Sequence, residues 1–395
     1  MTRIGIVAHF AYGAMTGGGT GHAGGVERQT SLLSRWLAAR GHRVSLLTWD
    51  EGQGDDATID GVRVIRMCRR DAGMPGLRFF HPRWTSLNRA LGMADADVYY
   101  QNCAEYVTGQ VALWCRRHGR RFVYSVASDP DCDPRLPALR TLRERVLYRY
   151  GLRGADRVIV QTRAQQRTLR DGFGVESIPL PMPCPGPLPG DYRAPSPPGC
   201  GPGRVLWVGR VSREKRLELL LEVAAALPGV AFEVAGPQDA DEAYCRTVLD
   251  RARALPNVTV HGRVPRDRMR DLYEGAALLC CTSAYEGFPN TFLEAWSYGL
   301  PVVSTVDPDG LIVARTLGAV AETGPELVAG LGRLLQSPAL WRKVSANARG
   351  YYLDNHTVES VMPRVERLLL DAVAAGTGRS AGQPTDERFR AAAER

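Results

Sequence analysis

Short apolar runs rich in β-branched residues alternate along the chain with longer stretches whose apolar residues recur every three or four positions. In the first half the runs are Ile4–Ala8, Val44–Thr48, Val62–Arg66, Val98–Gln101, Phe122–Val126 and Val158–Gln161. In the second half they are Val205–Val208, Val230–Ala235, Val258–His261, Ala277–Thr282 and Pro301–Ser304. Near-continuous apolar runs of this length suit strands covered on both faces, and the periodic stretches between them suit amphipathic helices. Repeated strand–helix–strand units predict parallel sheets with helices on both sides.

Between the two series lies Ile178 to Gly203, where ten of the chain's 26 prolines fall within 26 residues. Proline fixes φ and removes a donor, so this stretch can be neither helix nor central strand and reads as a linker. The pattern predicts two doubly wound parallel-sheet α/β domains facing across a cleft, over residues 1–177 and 204–357, with the linker at 178–203. A helix over 358–374 presents Val361, Val365, Leu368 and Leu369 on one face and is expected to cross back to the N-terminal domain. The polar tail 375–395 is expected to be disordered.

Composition sharpens this only slightly. A chain of 395 residues suits two domains at roughly 150 residues each. With 44% hydrophobic and 23% charged residues the chain is neither disordered nor fibrous. No run reaches the ~18 apolar residues of a membrane span, and Met1 to Ala8 lacks a cleavage site, so it reads as a first strand. Nine cysteines, none as Cys-x-x-Cys, argue against a zinc site or disulfide framework and for reduced thiols in the cytoplasm. The net charge of +8 points to anionic partners, but the arginines are dispersed and no recognised module for nucleic acid is present.

The chemistry concentrates in two places. Glu286-Gly-Phe-Pro-Asn-Thr-Phe-Leu-Glu294 follows the run Ala277–Thr282, at the carboxyl end of a strand where open α/β sheets bind ligands. Pro289-Asn290 marks a helix start, whose free amides and dipole attract phosphate. Glu286 and Glu294 beside that start suit a phosphorylated, hydroxyl-rich ligand; on spacing alone they read equally well as a solvated loop acid and a helix cap. The second place is Gly209-Arg210-Val-Ser-Arg213-Glu-Lys215-Arg216, between a strand and a helix. A helix start is electrostatically the wrong end for cations, which favours a site for an anion such as a departing diphosphate.

Gly209-Arg210…Lys215, with Glu286-x7-Glu294 some seventy residues later, resembles retaining glycosyltransferase family 4, the group 1 glycosyl transferases. The likeness runs to about residue 372 and includes Gly24-Gly25-Val-Glu27, Ala155-Asp156-Arg-Val-Ile-Val160, Pro301-Val-Val-Ser and Asp307-Pro-Asp-Gly310. It implies the GT-B fold of two Rossmann-like domains, a nucleotide-diphosphate sugar as co-substrate, and transfer to a hydroxyl acceptor on a polysaccharide, a lipid-linked intermediate or a natural product. It assigns Arg210 and Lys215 to the donor diphosphate, Glu294 to the ribose hydroxyls and Glu286 to the donor sugar. It further gives the backbone of Gly209, Gly287, Phe288, Pro289 and Asn290, with Thr291, to the sugar and phosphate. Gly262-Arg263-Val264 resembles the segment that meets the nucleobase. No metal or other cofactor is expected, because two cations occupy the metal's place. A nucleotide-sugar epimerase and a non-catalytic nucleotide-binding subunit are the alternatives.

In the first domain, Gly17 to Gly25 reads as a mobile loop over the donor phosphates or as a flexible connector, with His22 a polar loop residue. Many family members carry a histidine after the strand equivalent to Phe122–Val126; here Ser128, Asp129 and Asp131 are the polar groups on the acceptor side. They could orient an acceptor hydroxyl or start a turn before Pro130 and Pro134. Leu136 to Tyr150 carries Arg140, Arg143, Arg145 and Arg149 among Leu139, Leu142, Val146 and Leu147. The favoured reading is a solvated face over a core stripe; the other is peripheral contact with the inner face of a membrane.

Overall fold

The structure, a computed structural model, describes residues 1–17, 24–54, 57–199 and 203–377. Two sheets carry the fold. The first is built from β1 (Arg3–Val7), β2 (Arg43–Thr48), β3 (Thr58–Ile59), β4 (Val62–Arg66), β5 (Val98–Asn102), β6 (Arg121–Ser125), β7 (Arg157–Val160) and β8 (Ile178–Pro179), in the order β3-β4-β2-β1-β5-β6-β7-β8. The second is built from β9 (Arg204–Val208), β10 (Phe232–Ala235), β11 (Val258–Gly262), β12 (Ala276–Cys281), β13 (Val302–Ser304) and β14 (Gly318–Val320), in the order β11-β10-β9-β12-β13-β14. Every pairing in the second sheet is parallel. In the first, β3 alone among the strands with a stated register runs antiparallel, against β4.

Each apolar run of the sequence is one of these strands. The strands without such a run, β3, β8 and β14, are two or three residues long, too short for periodicity to register. β8 adds Ile178 and Pro179 beside Ile159 and Val160 at the end of the first sheet, a place that tolerates proline because no further strand needs its missing donor.

The chain divides into two compact units. The first comprises 1–125, 139–158 and the chain from Arg364; the second comprises 126–138 and 159–363. In the second unit all six residues of β12 are buried. The helix Leu217–Ala226 buries Leu217, Leu220, Leu221, Val223 and Ala224, each leucine contributing about 2 kcal/mol on leaving water. Trp341 closes the core by donating its indole N–H to the Ala277 carbonyl at 2.8 Å. In the helix Val358–Thr377 the residues Val361, Val365, Leu368 and Leu369 are all buried. From the part of that helix in the first unit, Glu366 accepts from His42 Nε2 at 3.0 Å.

The arginine-rich segment follows the favoured reading in part, with Leu139 buried and Leu147 half-buried. Its helix starts only at Leu142 and runs to Gly154, because Thr141 accepts the Glu144 amide and Glu144 returns a bond to Thr141. Starting there turns Tyr148, Gly151 and Leu152 inward. Leu142 and Val146, expected in the core stripe, stay 75% and 54% exposed.

Residues 18–23 of the glycine-rich loop, His22 among them, and 378–395 of the tail lie outside the described residues. The eight described cysteines are free. No helix among the described residues is long and apolar enough to cross a membrane.

Candidate active site

β9 and β12 are neighbours in the second sheet, so the loops after them emerge side by side at the strands' carboxyl ends. Polar bonds zip the two together. Trp207 donates its indole N–H to Thr282 Oγ1 at 3.0 Å, and that hydroxyl donates to the Lys215 carbonyl at 2.7 Å. The Ala284 amide donates to the Glu214 carbonyl at 2.7 Å. Arg216 donates through Nε to the Thr282 carbonyl at 2.7 Å and through Nη2 to the Ser283 carbonyl at 3.1 Å. Arg216 itself sits at φ 47° and ψ 54°, a left-handed conformation costing roughly 1–2 kcal/mol, which its two charge-assisted bonds offset.

The zip brings Lys215 against Glu286. Lys215 Nζ forms an ion pair with Glu286 Oε1, which also accepts the Ser283 hydroxyl at 2.7 Å. The two side chains are only 26% and 16% exposed, so removing either would leave a partly desolvated charge alone. Arg210 is more open, at 49%, with Asp239 Oδ1 3.6 Å away. Gly209 packs against the Trp207 ring and Lys215.

Past β12, the helix Asn290–Ser297 buries Phe292, Leu293, Ala295 and Trp296, leaving Asn290, Thr291 and Glu294 half-buried on the other side. In its first turn the Phe292 amide donates to the Pro289 carbonyl at 3.1 Å. Glu294 accepts from the Tyr273 hydroxyl at 2.6 Å and lies 3.7 Å from Arg266. At the end of β11, Gly262 takes φ 64°; Arg263 beyond it is exposed and Val264 half-buried.

Two glutamines absent from the sequence reading build the next layer. Gln161 Oε1 accepts the Phe288 amide at 2.8 Å, and the Gln161 amide donates to Gln165 Oε1 at 2.9 Å. Gln165 Nε2 donates to Asp129 Oδ1 at 2.9 Å. Gly287 is wedged into this chain: a Cβ there would stand 2.5 Å from Gln161 Oε1 and 2.9 Å from the Ala127 carbonyl. Only a residue with no side chain fits. Asp309 is another addition, accepting the Arg163 and Ala164 amides at 2.7 and 2.9 Å and so capping the helix Arg163–Phe173.

The three acceptor-side candidates part company. Asp131 is buried and spent on its own turn, accepting the Ala127 and Ser128 amides and the Ser128 hydroxyl. Asp129 keeps an exposed edge, yet enough protein surrounds its carboxyl to push the pKa up to about 6. Burial is the main cause; the bond from Gln165 opposes it, and the carboxylates of Asp131, Glu286 and Asp309 add to it. A cavity of about 410 Å³ opens beside it, lined by Asp129, Asp133, prolines and Tyr285, which is 51% exposed. Gly25 stands apart in the first unit as the first residue of the helix Gly25–Ala39. No group of three or more His, Cys, Asp or Glu side chains that could hold a metal occurs among the described residues.

Arg210, Lys215, Glu286, Glu294 and Asp129 thus belong to one unit, and a single bonded network joins the Lys215–Glu286 loop pair internally. Neither glutamine could be singled out from the sequence; the spacing of Gln161 and Gln165 by one helical turn was the only trace.

Residues 24–184 match the model for the glycosyl transferase 4-like domain, and residues 202–337 match that for glycosyl transferases group 1. The chain is 26% identical over 341 residues to the D-inositol 3-phosphate glycosyltransferase of Rhodococcus erythropolis (strain PR4 / NBRC 100887), covering 78% of this chain and 75% of that one. It is 27% identical over 264 residues to the alpha-D-kanosaminyltransferase of Streptomyces kanamyceticus, covering 62% and 59%. In structure it is similar to sucrose-phosphate synthase from Thermosynechococcus elongatus, with a TM-score of 0.77, 21% identity and coverage of 95% and 100%. It is also similar to Anabaena HepE solved in complex with UDP and glucose, with a TM-score of 0.72, 15% identity and coverage of 94% and 100%.

Proposed function

Since this chain belongs to the group 1 glycosyltransferases and has their GT-B fold, we propose that it moves a sugar from a nucleotide-diphosphate donor to a hydroxyl acceptor with retention at the anomeric carbon. The observation that carries this reading is the zipped loop pair that holds Lys215 against Glu286, with Arg210 five residues before the lysine. As the sugar–phosphate bond lengthens, negative charge gathers on the diphosphate. An ammonium held in place by Glu286, with the more open Arg210 guanidinium nearby, stabilises that charge with little reorganisation. The departing phosphate oxygen takes the proton of the incoming hydroxyl on the same face, so no carboxylate nucleophile is needed. Glu286 holds Lys215 in place and faces the donor sugar, the helix Asn290–Ser297 receives phosphate at its amino end, Glu294 binds ribose hydroxyls, and Arg263 and Val264 flank the base.

Asp129 and Tyr285 supply the acceptor wall. Asp133 in the cavity is paired with Arg135 at 2.6 Å, so the repulsion of a phosphorylated acceptor comes from Asp129, and neutral or amino-bearing acceptors are favoured over the phosphate named for the Rhodococcus relative. Peripheral membrane contact belongs to the same proposal. Leu142 and Val146 project from the helix Leu142–Gly154, and Arg143 lies 3.7 Å over the ring of Phe79, whose segment also exposes Met74, Leu77 and Phe80. Apolar side chains interleaved with arginines suit an anionic bilayer surface.

The test is to incubate the purified protein with a panel of nucleotide sugars and acceptors, follow nucleotide release, and read the product's anomeric configuration by NMR. Lys215→Ala should cost about 10²–10³ in kcat. Full activity in both Lys215→Ala and Glu286→Ala, or an inverted product, overturns the reading.

A further inference from the structure

A second cavity, of about 650 Å³, lies in the first unit and shares no residue with the site above. Its walls are two helix faces. Trp84, which caps the helix Thr85–Ala94, is followed at four-residue spacing by Asn88 and Gly92, and Gln110, Trp114 and Arg117 follow one another at four and then three residues along Tyr106–Arg117. Gly92 keeps the space open: a Cβ there would meet nothing within 4 Å.

The lining is rich in donors. Gln110 is 1% exposed, yet its Nε2 has no hydrogen-bond partner. A buried amide left so costs about 1–3 kcal/mol, which a turn of the side chain toward a ligand oxygen in the groove would recover. Arg89 and Arg117 line the same space, and neither has an ion-pair partner among the described residues. His118 must donate from Nδ1, because its partner at 2.8 Å is the Trp114 carbonyl; its Nε2 is left for another group. The cavity's one carboxylate, Asp95, is already paired with Arg3 and Arg120. Cations and N–H groups therefore exceed acceptors. The remaining wall carries Leu113 and the Trp84 indole, and the buried Trp114 ring lies stacked on His118 at 4.1 Å. Planar amide and guanidinium donors beside indole surface are the means by which a pocket grips ring hydroxyls and C–H faces at once, and unpaired guanidinium forks select carboxylate or phosphate.

We propose that this groove binds an anionic sugar unit, its charge borne by a carboxylate or a phosphate, independently of the donor site. Such a site would hold a charged portion of a glycan away from the reacting centre.

Isothermal titration on the full chain decides it, using glucuronate, glucose 6-phosphate, glucose and inorganic phosphate as probes. At least one anionic sugar should bind one site per chain, about tenfold or more tighter than glucose or phosphate alone; which of the two binds identifies the charged group. Gly92→Leu, which fills the open space, should abolish the binding, and Arg117→Glu should weaken it at least about tenfold. Lys215→Ala should leave it unchanged. Melting curves check that Gly92→Leu is folded; should it not be, Arg117→Glu on the helix surface carries the test alone. Binding that survives both groove variants, that is lost with Lys215→Ala, that neutral glucose or bare phosphate matches, or that no probe shows, overturns the proposal.

Discussion

Gly287→Ala is the sharpest perturbation of the candidate active site, because one added carbon has nowhere to go. Its Cβ would stand 2.5 Å from Gln161 Oε1, 2.9 Å from the Ala127 carbonyl and 3.1 Å from Gln165 Nε2. Carbon and oxygen pack at about 3.5 Å, so the glutamine oxygen must retreat by roughly an ångström, and that oxygen accepts the Phe288 amide at 2.8 Å. Overpacking of this kind costs about 1–3 kcal/mol, and the lost bond adds about 1 kcal/mol. A total near 3 kcal/mol lowers Tm by about 6–12 °C for a unit of this size. Gly350→Ala is the matched control: a Cβ there meets nothing within 4 Å, and in the helix Pro338–Asn355 it should be neutral or stabilising by up to about 1 kcal/mol. Calorimetry gives Tm, and titration with UDP and other nucleotides reads whether the substitution changes nucleotide binding. Gln161→Ala in the Gly287→Ala background should restore part of the loss, leaving the fixed Ala127 carbonyl as the residual clash. If Gly287→Ala melts with the parent and binds nucleotide equally well, the close packing described here is wrong.

Four further outcomes follow from the same contacts. Asp129 carries a pKa raised to about 6, so it is protonated below that pH; kcat/KM should show a limb there that Asp129→Asn flattens, and an unchanged limb removes Asp129 from the acceptor wall. His356 is buried and donates from Nδ1 to the Met182 carbonyl at 2.9 Å, with its pKa lowered by burial to about 4. Its folded form stays neutral while the unfolded chain protonates near 6.5, so stability falls by about 3 kcal/mol as pH drops from about 6.5 to 4; urea midpoints should lose much of that slope in His356→Leu. Arg216→Gly should be about 1 kcal/mol less destabilising than Arg216→Ala, since both lose the bonds to Thr282 and Ser283 but only alanine keeps the left-handed strain; equal melting points refute this. Leu142→Asp with Val146→Asp should reduce sedimentation with phosphatidylglycerol vesicles and leave turnover of a water-soluble acceptor unchanged; undiminished sedimentation rules out this helix as the contact.

What the sequence determined by itself was everything encoded over short range. The apolar runs gave the strands because a strand buried on both faces needs four or more consecutive apolar residues. The cations of Gly209 to Lys215 were conspicuous because a helix start disfavours positive charge, and the glutamates of Glu286 to Glu294 because they follow the carboxyl end of a strand, where open α/β sheets bind ligands. Tertiary structure decided the rest. Lys215 and Glu286 are 71 residues apart, and only the neighbouring of β9 and β12 brings them into contact. The split among Ser128, Asp129 and Asp131 depends on which carboxylate its own turn consumes. Gln161 and Gln165 are unremarkable polar residues until folding sets them against Gly287 and Asp129. The exposure of Leu142 and Val146 turns on a helix start shifted by a few residues, which rotates a stripe from core to surface. Periodicity records which residues want burial, while the partners of a polar side chain are fixed only when distant segments pack and leave each donor one acceptor within reach.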